Sequence, residues 1–200
     1  MVFPEDFLIG RICYSLFQSI PHWATNIAKK PKIRRLTKIG VEALVFIAIL
    51  AGVLAYQSRN LLPTDARPAP ALSATTLAGG FFELQAETAP TTLVYFFAPW
   101  CKICAASSSN INLLRRLRGE EELRVLMVAL DWQSTDEVQS YVDRHSISVP
   151  VLLGDSEIAS NWNIYAFPTY YVLDGKQRVV RRDLGYSTLA GLWWRTLVKN

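Results

Sequence analysis

Hydrophobic and polar positions follow two different patterns along this chain. Residues 39–56 are apolar without a polar face, and Glu42 is their one charge. Beyond residue 72 the apolar residues come in short blocks parted by polar turns. Blocks 72–77 and 81–84 flank Ala78-Gly79-Gly80 and predict a hairpin. Thr91–Phe97 is a continuous β-branched and aromatic run, the pattern of a strand buried on both faces. Residues 101–117 predict a helix with Ile111, Leu114 and Leu117 on its inner side. A second buried strand follows at 123–130, then a helix over 134–145 capped by Ser134 with Glu137 three residues on. An extended segment at 150–153 and a short helix at 157–162, with Trp162 in the core, lead to strands 169–173 and Val179–Leu184. Asp174-Gly175 turns between those strands, and a helix over 188–198 closes the chain. Strands that alternate with helices before a final hairpin imply an α/β sandwich with a mixed sheet.

Eighteen helical residues at 39–56 would rise about 27 Å, the thickness of a bilayer's hydrocarbon core. Glu42 lies one turn from the basic end, where it reaches the interface and avoids the roughly 2.5–3.5 kcal/mol of a mid-membrane acid. The 38 residues ahead of this run exceed a whole signal peptide, so an uncleaved single-pass anchor is expected. Residues 57–72 hold Pro63, Pro68 and Pro70 without periodicity and read as a semi-rigid tether. The expected division is therefore a basic segment 1–38, a transmembrane helix 39–56, a tether 57–72 and a folded domain 73–200.

Composition excludes several classes. With 50% hydrophobic and 12% aromatic residues the chain is not disordered, and 10 Gly and 10 Pro are too few for collagen-like sequence. The net charge of +4 is unevenly placed: residues 1–38 carry +5 and residues 60–200 carry −1. The positive-inside rule then puts 1–38 in the cytoplasm and the domain on the periplasmic, extracytoplasmic side of the inner membrane. A near-neutral domain argues against nucleic acid. Apolar residues in 1–28 recur at three- and four-residue intervals, which suits an interfacial helix and equally a loosely ordered tail. Cys13 would there face a reducing cytosol.

The chemistry concentrates in Trp100-Cys101-Lys102-Ile103-Cys104, where a buried strand hands over to a helix. Two residues between cysteines at the first helical turn let the sulfurs reach disulfide distance. Cys101 then faces unpaired N–H groups and the positive end of the helix dipole, which favour a thiolate. Cys104, a turn deeper, would be the more buried and more basic thiol. One nucleophilic and one resolving thiol is what dithiol–disulfide exchange requires. A purely structural disulfide over so short a loop would add little stability. A closed zinc site lacks ligands, since His22 and His145 are the two histidines, so no metal and no cofactor beyond the redox-active pair is expected. No Ser-His-Asp or phosphate-loop pattern is present.

Phe96-Phe97-Ala98-Pro99-Trp100-Cys101-Lys102-Ile103-Cys104 resembles the active-site signature of the thioredoxin superfamily, and Phe167-Pro168-Thr169-Tyr170-Tyr171-Val172-Leu173-Asp174 its cis-proline strand. With the anchor, tether and hairpin, residues 68–198 are similar to the membrane-tethered TlpA/ResA branch, ScsD-like members included. The resemblance implies a thioredoxin-like fold, a cis Pro168 facing the disulfide and a Phe167 backbone that pairs with an extended substrate, with Trp100 packed beside the disulfide. It also implies protein thiol or disulfide clients, a reductant role and an integral-membrane electron donor. Two positions depart from the pattern. Tyr95 stands where thioredoxins carry a buried acid, and Ser107 where ResA-like proteins carry a glutamate. Asp131 is then the candidate acceptor for the resolving thiol's proton. Lys102, between the cysteines, would favour a thiolate and work against a reductant. A thioredoxin-like copper-handling protein, with His145 as third ligand, is the alternative.

Overall fold

A computed structural model describes residues 31–65, 67–84 and 91–197, without the side chains of 31–37, 54, 57 and 58. The expectations for residues 1–28, Cys13 and His22 lie outside the described residues. The chain divides into two compact units, residues 1–53 and 54–200.

The first unit's described part, residues 31–53, is helical throughout and belongs to α1 (Pro31–Ser58). Proline suits the first helical position, because its missing N–H would have no partner there. From Ile39 to Val53 the large apolar side chains are 47–67% exposed, on every side of the helix rather than along one stripe. The expected span 39–56 falls within α1. Among the described residues no helix is long and apolar enough to cross a membrane.

The second unit is built on a seven-stranded mixed sheet, ordered β2-β1-β5-β4-β3-β6-β7. Its strands are β1 (Ser73–Thr76), β2 (Phe81–Glu83), β3 (Thr91–Phe97), β4 (Arg124–Ala129), β5 (Val151–Leu153), β6 (Thr169–Asp174) and β7 (Val179–Leu184). β3, β4 and β5 run parallel, and β6 pairs antiparallel with β3, placing Tyr170 opposite Tyr95. The helices are α2 (Lys102–Leu117), α3 (Thr135–Arg144), α4 (Ser156–Asn161) and α5 (Leu189–Thr196). These elements follow the sequence expectations to within a residue or two at most ends.

Because strand side chains alternate, β3 serves two cores at once. Leu93, Tyr95 and Phe97 enter the layer that contains both cysteines, Ile111 and Leu114 of α2, Tyr141 of α3 and Leu192 of α5. Val94 and Phe96 enter the other layer, with Leu126, Val128, Ile158 and Trp162. Trp162, the C-cap of α4, is fully buried there.

Two expectations are corrected. Leu117 is 54% exposed, and the buried stripe of α2 is instead Cys104, Ser107, Ser108, Ile111, Asn112 and Leu114. Successive steps of three residues fall short of a full turn and rotate off the face, whereas mixed steps of three and four stay on it. The segment expected as a semi-rigid tether is packed on the domain at both its Leu61 and Leu72 ends. Leu61 and Leu72 are buried in the second core. Arg182 Nη1 donates to the carbonyls of Leu61 and Leu62, at 2.7 Å each, and Trp162 Nε1 donates to the carbonyl of Ala71 at 3.3 Å. The cause is a shortage of cover: α4 has six residues, too few to bury that face of the sheet alone.

Candidate active site

The site forms at the C-terminal end of β3, where open α/β sheets leave a crevice between strand ends and the following helices. The Ala98 carbonyl accepts the Cys101 N–H at 3.0 Å, a turn that sets Cys101 as N-cap of α2. Its sulfur accepts the backbone N–H of Cys104 at 3.1 Å, satisfying one of the helix's unpaired donors. Cys101 and Cys104 are joined as a disulfide with Cα atoms 5.2 Å apart. Cys101 retains 6% exposure and Cys104 none. An incoming thiolate therefore meets Cys101 first, and in the reduced state the helix terminus favours charge on that sulfur. Lys102 is exposed, so solvent screens its charge.

The Phe167–Pro168 peptide bond is cis. Phe167 meets Trp100 edge-on, ring centroids 5.9 Å apart at 83°, which brings the proline segment to the cysteine turn. Among the described residues none hydrogen-bonds the Phe167 backbone. Trp100 is 59% exposed and stands as a rim to the site. Its indole Nε1 donates to the Asp131 carbonyl at 3.2 Å and to Asp131 Oδ2 at 3.1 Å. Asp131, with φ at +52°, turns its carboxylate toward Trp100, and none of its described hydrogen bonds reaches a cysteine. Beside these residues runs a groove of about 550 Å³, lined by Leu130, Asp131, Trp132, Asp155, Tyr165 and Phe167. A second cavity of about 420 Å³ lies at the opposite strand ends, against Arg124 and Pro150, with no cysteine in its lining.

Beneath Cys104 lie hydroxyls that the sequence did not mark as a group. The Tyr95 phenol donates to the Cys104 carbonyl at 3.2 Å. Ser108 Oγ donates to the same oxygen at 3.0 Å and shares a 2.7 Å hydrogen bond with the Tyr141 phenol. Tyr170 donates to Ser107 Oγ at 3.3 Å. Burial pushes the Tyr95 phenol well above its ordinary value, Tyr141 upward, and Tyr170 to about 12, so all three stay neutral. Their sequence signal was the Ser107-Ser108 pair, three and four residues after Cys104 and therefore on its helix face.

His145 caps α3 with its ring 4.6 Å from that of Tyr141, and burial followed by the Arg144 charge lowers its pKa. Among the described residues no three His, Cys, Asp or Glu are grouped to hold a metal.

A mixed sheet, a disulfide at a helix N-terminus and an adjacent cis-proline define the thioredoxin-like class of thiol–disulfide oxidoreductases. Comparison with known proteins agrees. The chain belongs to the Redoxin family, whose model matches residues 64–190. It is 26% identical over 138 residues to the thioredoxin-like protein YneN of Bacillus subtilis, covering 67% of this chain and 78% of that one. Over 158 residues it is 28% identical to a thioredoxin-like protein of Haemophilus influenzae, covering 76% and 89%. A thiol:disulfide interchange protein of the thioredoxin family from Chlorobium tepidum shares the fold, with a TM-score of 0.59, 24% identity and coverage of 66% and 96%.

Proposed function

We propose that this oxidoreductase is anchored in the inner membrane with its N-terminus in the cytoplasm, and reduces disulfides of extracytoplasmic client proteins. The observation that carries the exchange chemistry is the unequal pair: Cys101 at the helix cap with residual exposure, Cys104 sealed behind it. In the reduced protein the Cys101 thiolate attacks a client disulfide, forming a mixed disulfide and expelling one client thiolate. Cys104 then attacks Cys101 Sγ, closes the Cys101–Cys104 bond and releases the second client thiolate. Two electrons pass to the client, and both client sulfurs take up protons. The Phe167 backbone and the aromatic groove beside it offer an extended client segment hydrogen bonds and apolar contact.

The membrane part of the reading is supported by the apolar run 39–56, the basic cluster that precedes it and the exposure of the large apolar side chains from Ile39 to Val53. An exported reductant needs a supply of electrons, which fits an integral-membrane donor of thiol-reductase type.

Replacing Cys104 by serine tests the client step. Membranes from cells making the Cys104→Ser chain should accumulate mixed disulfides through Cys101, and the chain should resist alkaline extraction. Capture of no protein, while the wild-type thiols still exchange with dithiothreitol, would remove protein clients from the reading. The direction follows from the reduction potential: a reductant lies near about −270 mV and a strong oxidant near about −120 mV.

A further inference from the structure

Five hydroxyl groups, those of Tyr95, Ser107, Ser108, Tyr141 and Tyr170, are buried around the first turns of α2, beside the disulfide and the apolar side chains of that layer. Each buried hydroxyl costs stability unless it is hydrogen-bonded, and phenylalanine or alanine would fill the same volume without that cost. Three of them converge on Cys104 and the other two on its neighbour Ile103. Tyr95 and Ser108 both donate to the carbonyl of Cys104, Tyr141 holds Ser108, and Tyr170 holds Ser107, whose own hydroxyl donates to the Ile103 carbonyl at 3.1 Å.

We propose that Tyr95 is the positioning residue of the resolving thiol: its neutral O–H, seated with that of Ser108 on the Cys104 carbonyl, fixes the sulfur and favours its thiolate without a buried acid. The proposal rests on the dithiol exchange already described. A carbonyl oxygen carries partial negative charge that disfavours an anion on the same residue's sulfur. Two O–H dipoles aimed at that oxygen place their positive ends beside it and offset this potential.

The other groups that could set the titration are few. From β3 and β6 they are Tyr95 and Tyr170, and from α3 Tyr141 with His145 against its ring. From β7 and α5 they are Asp183 and Arg195, paired at 2.7 Å and felt by Tyr170. Cys101 and the exposed Lys102 come from the start of α2 itself, and Asp131, after β4, has its carboxylate on the Trp100 indole. No carboxylate stands among the five hydroxyls, so loss of the Cys104 proton to solvent base should follow a single ionisation.

The test uses the reduced full chain and 5,5′-dithiobis(2-nitrobenzoate). Cys101 attacks the reagent and expels one nitrothiobenzoate. The Cys104 thiolate then attacks Cys101 Sγ, forms the Cys101–Cys104 bond and expels the second; a Cys13→Ser background, used for every variant, removes the third thiol so that this absorbance reports resolution alone. Tyr95→Phe keeps the ring and removes the donor. Its second release should slow about tenfold at neutral pH, the worth of one such hydrogen bond, with the pH midpoint raised by about one unit. Ser108→Ala should move the midpoint in the same direction, and carries the test if Tyr95→Phe does not fold. Tyr171→Phe removes a buried phenol from the opposite layer and should leave rate and midpoint unchanged. An unshifted midpoint in Tyr95→Phe and Ser108→Ala, or an equal shift in Tyr171→Phe, would overturn the assignment. Absence of any second release from the wild type would instead sink the dithiol reading itself.

Discussion

Tyr95 and Tyr171 are both buried phenols on neighbouring central strands, yet they face opposite layers of the sheet and do different work. Tyr95, with Tyr141 and Tyr170, directs its oxygen toward the start of α2 and the residues around Cys104. Tyr171 accepts the Leu62 N–H at 3.2 Å and donates to the Trp162 carbonyl at 2.9 Å, so it pins the extended segment and the end of α4. One layer uses hydroxyls to hold a reacting residue in place. The other uses one, with aromatic contacts among Phe96, Trp162 and Tyr171, to hold the fold in place. A strand alternating at period two can thus serve chemistry on one side and stability on the other.

The comparison breaks most visibly at Trp162. It is fully buried, 5.3 Å from Phe96 and 5.5 Å from Tyr171 between ring centroids. Trp162→Ala should cost about 3–5 kcal/mol of unfolding free energy through the cavity it leaves. The pH midpoint of nitrothiobenzoate release should not move, measured at a temperature where the variant remains folded. A shifted midpoint would mean that the two layers are not separable. A smaller loss is expected at Leu72, 1% exposed in the same layer. Leu72→Ala should cost about 2–3 kcal/mol in denaturant melts. A free tether would show no loss at all.

What was legible in the sequence differs between the layers for a physical reason. The cysteine turn, the buried run of β3 and Phe167-Pro168 announce themselves through local chemistry, because each constraint lies within a few residues. Residues 61–72 hide theirs: an extended, proline-bearing segment has no period, so Leu61 and Leu72 give no sign that they are anchors. The hydroxyl cluster depends on pairing across the sheet. Tyr95 and Tyr170 become neighbours through β3–β6 pairing, between positions 75 residues apart in the chain. At Tyr95 and Ser107 the sequence showed a missing acid. The fold sets their hydroxyls on the carbonyls of Cys104 and Ile103.

Asp131 tests the boundary between the layers and carries the smallest expected effect. It follows Ala129, which faces the cysteine layer, and Leu130, which faces the other, and its positive φ turns the chain out of the sheet. A proton acceptor for Cys104 at this position would make Asp131→Asn slow resolution and change its pH profile. The observed geometry assigns the carboxylate to Trp100 instead, and asparagine keeps an amide oxygen for the indole while tolerating the left-handed backbone. Asp131→Asn should therefore alter stability by less than about 0.5 kcal/mol, as exposed polar substitutions do. It should also leave the second nitrothiobenzoate release with wild-type rate and midpoint. A midpoint displaced as far as in Tyr95→Phe would return the proton to Asp131 and reduce the buried hydroxyls to packing.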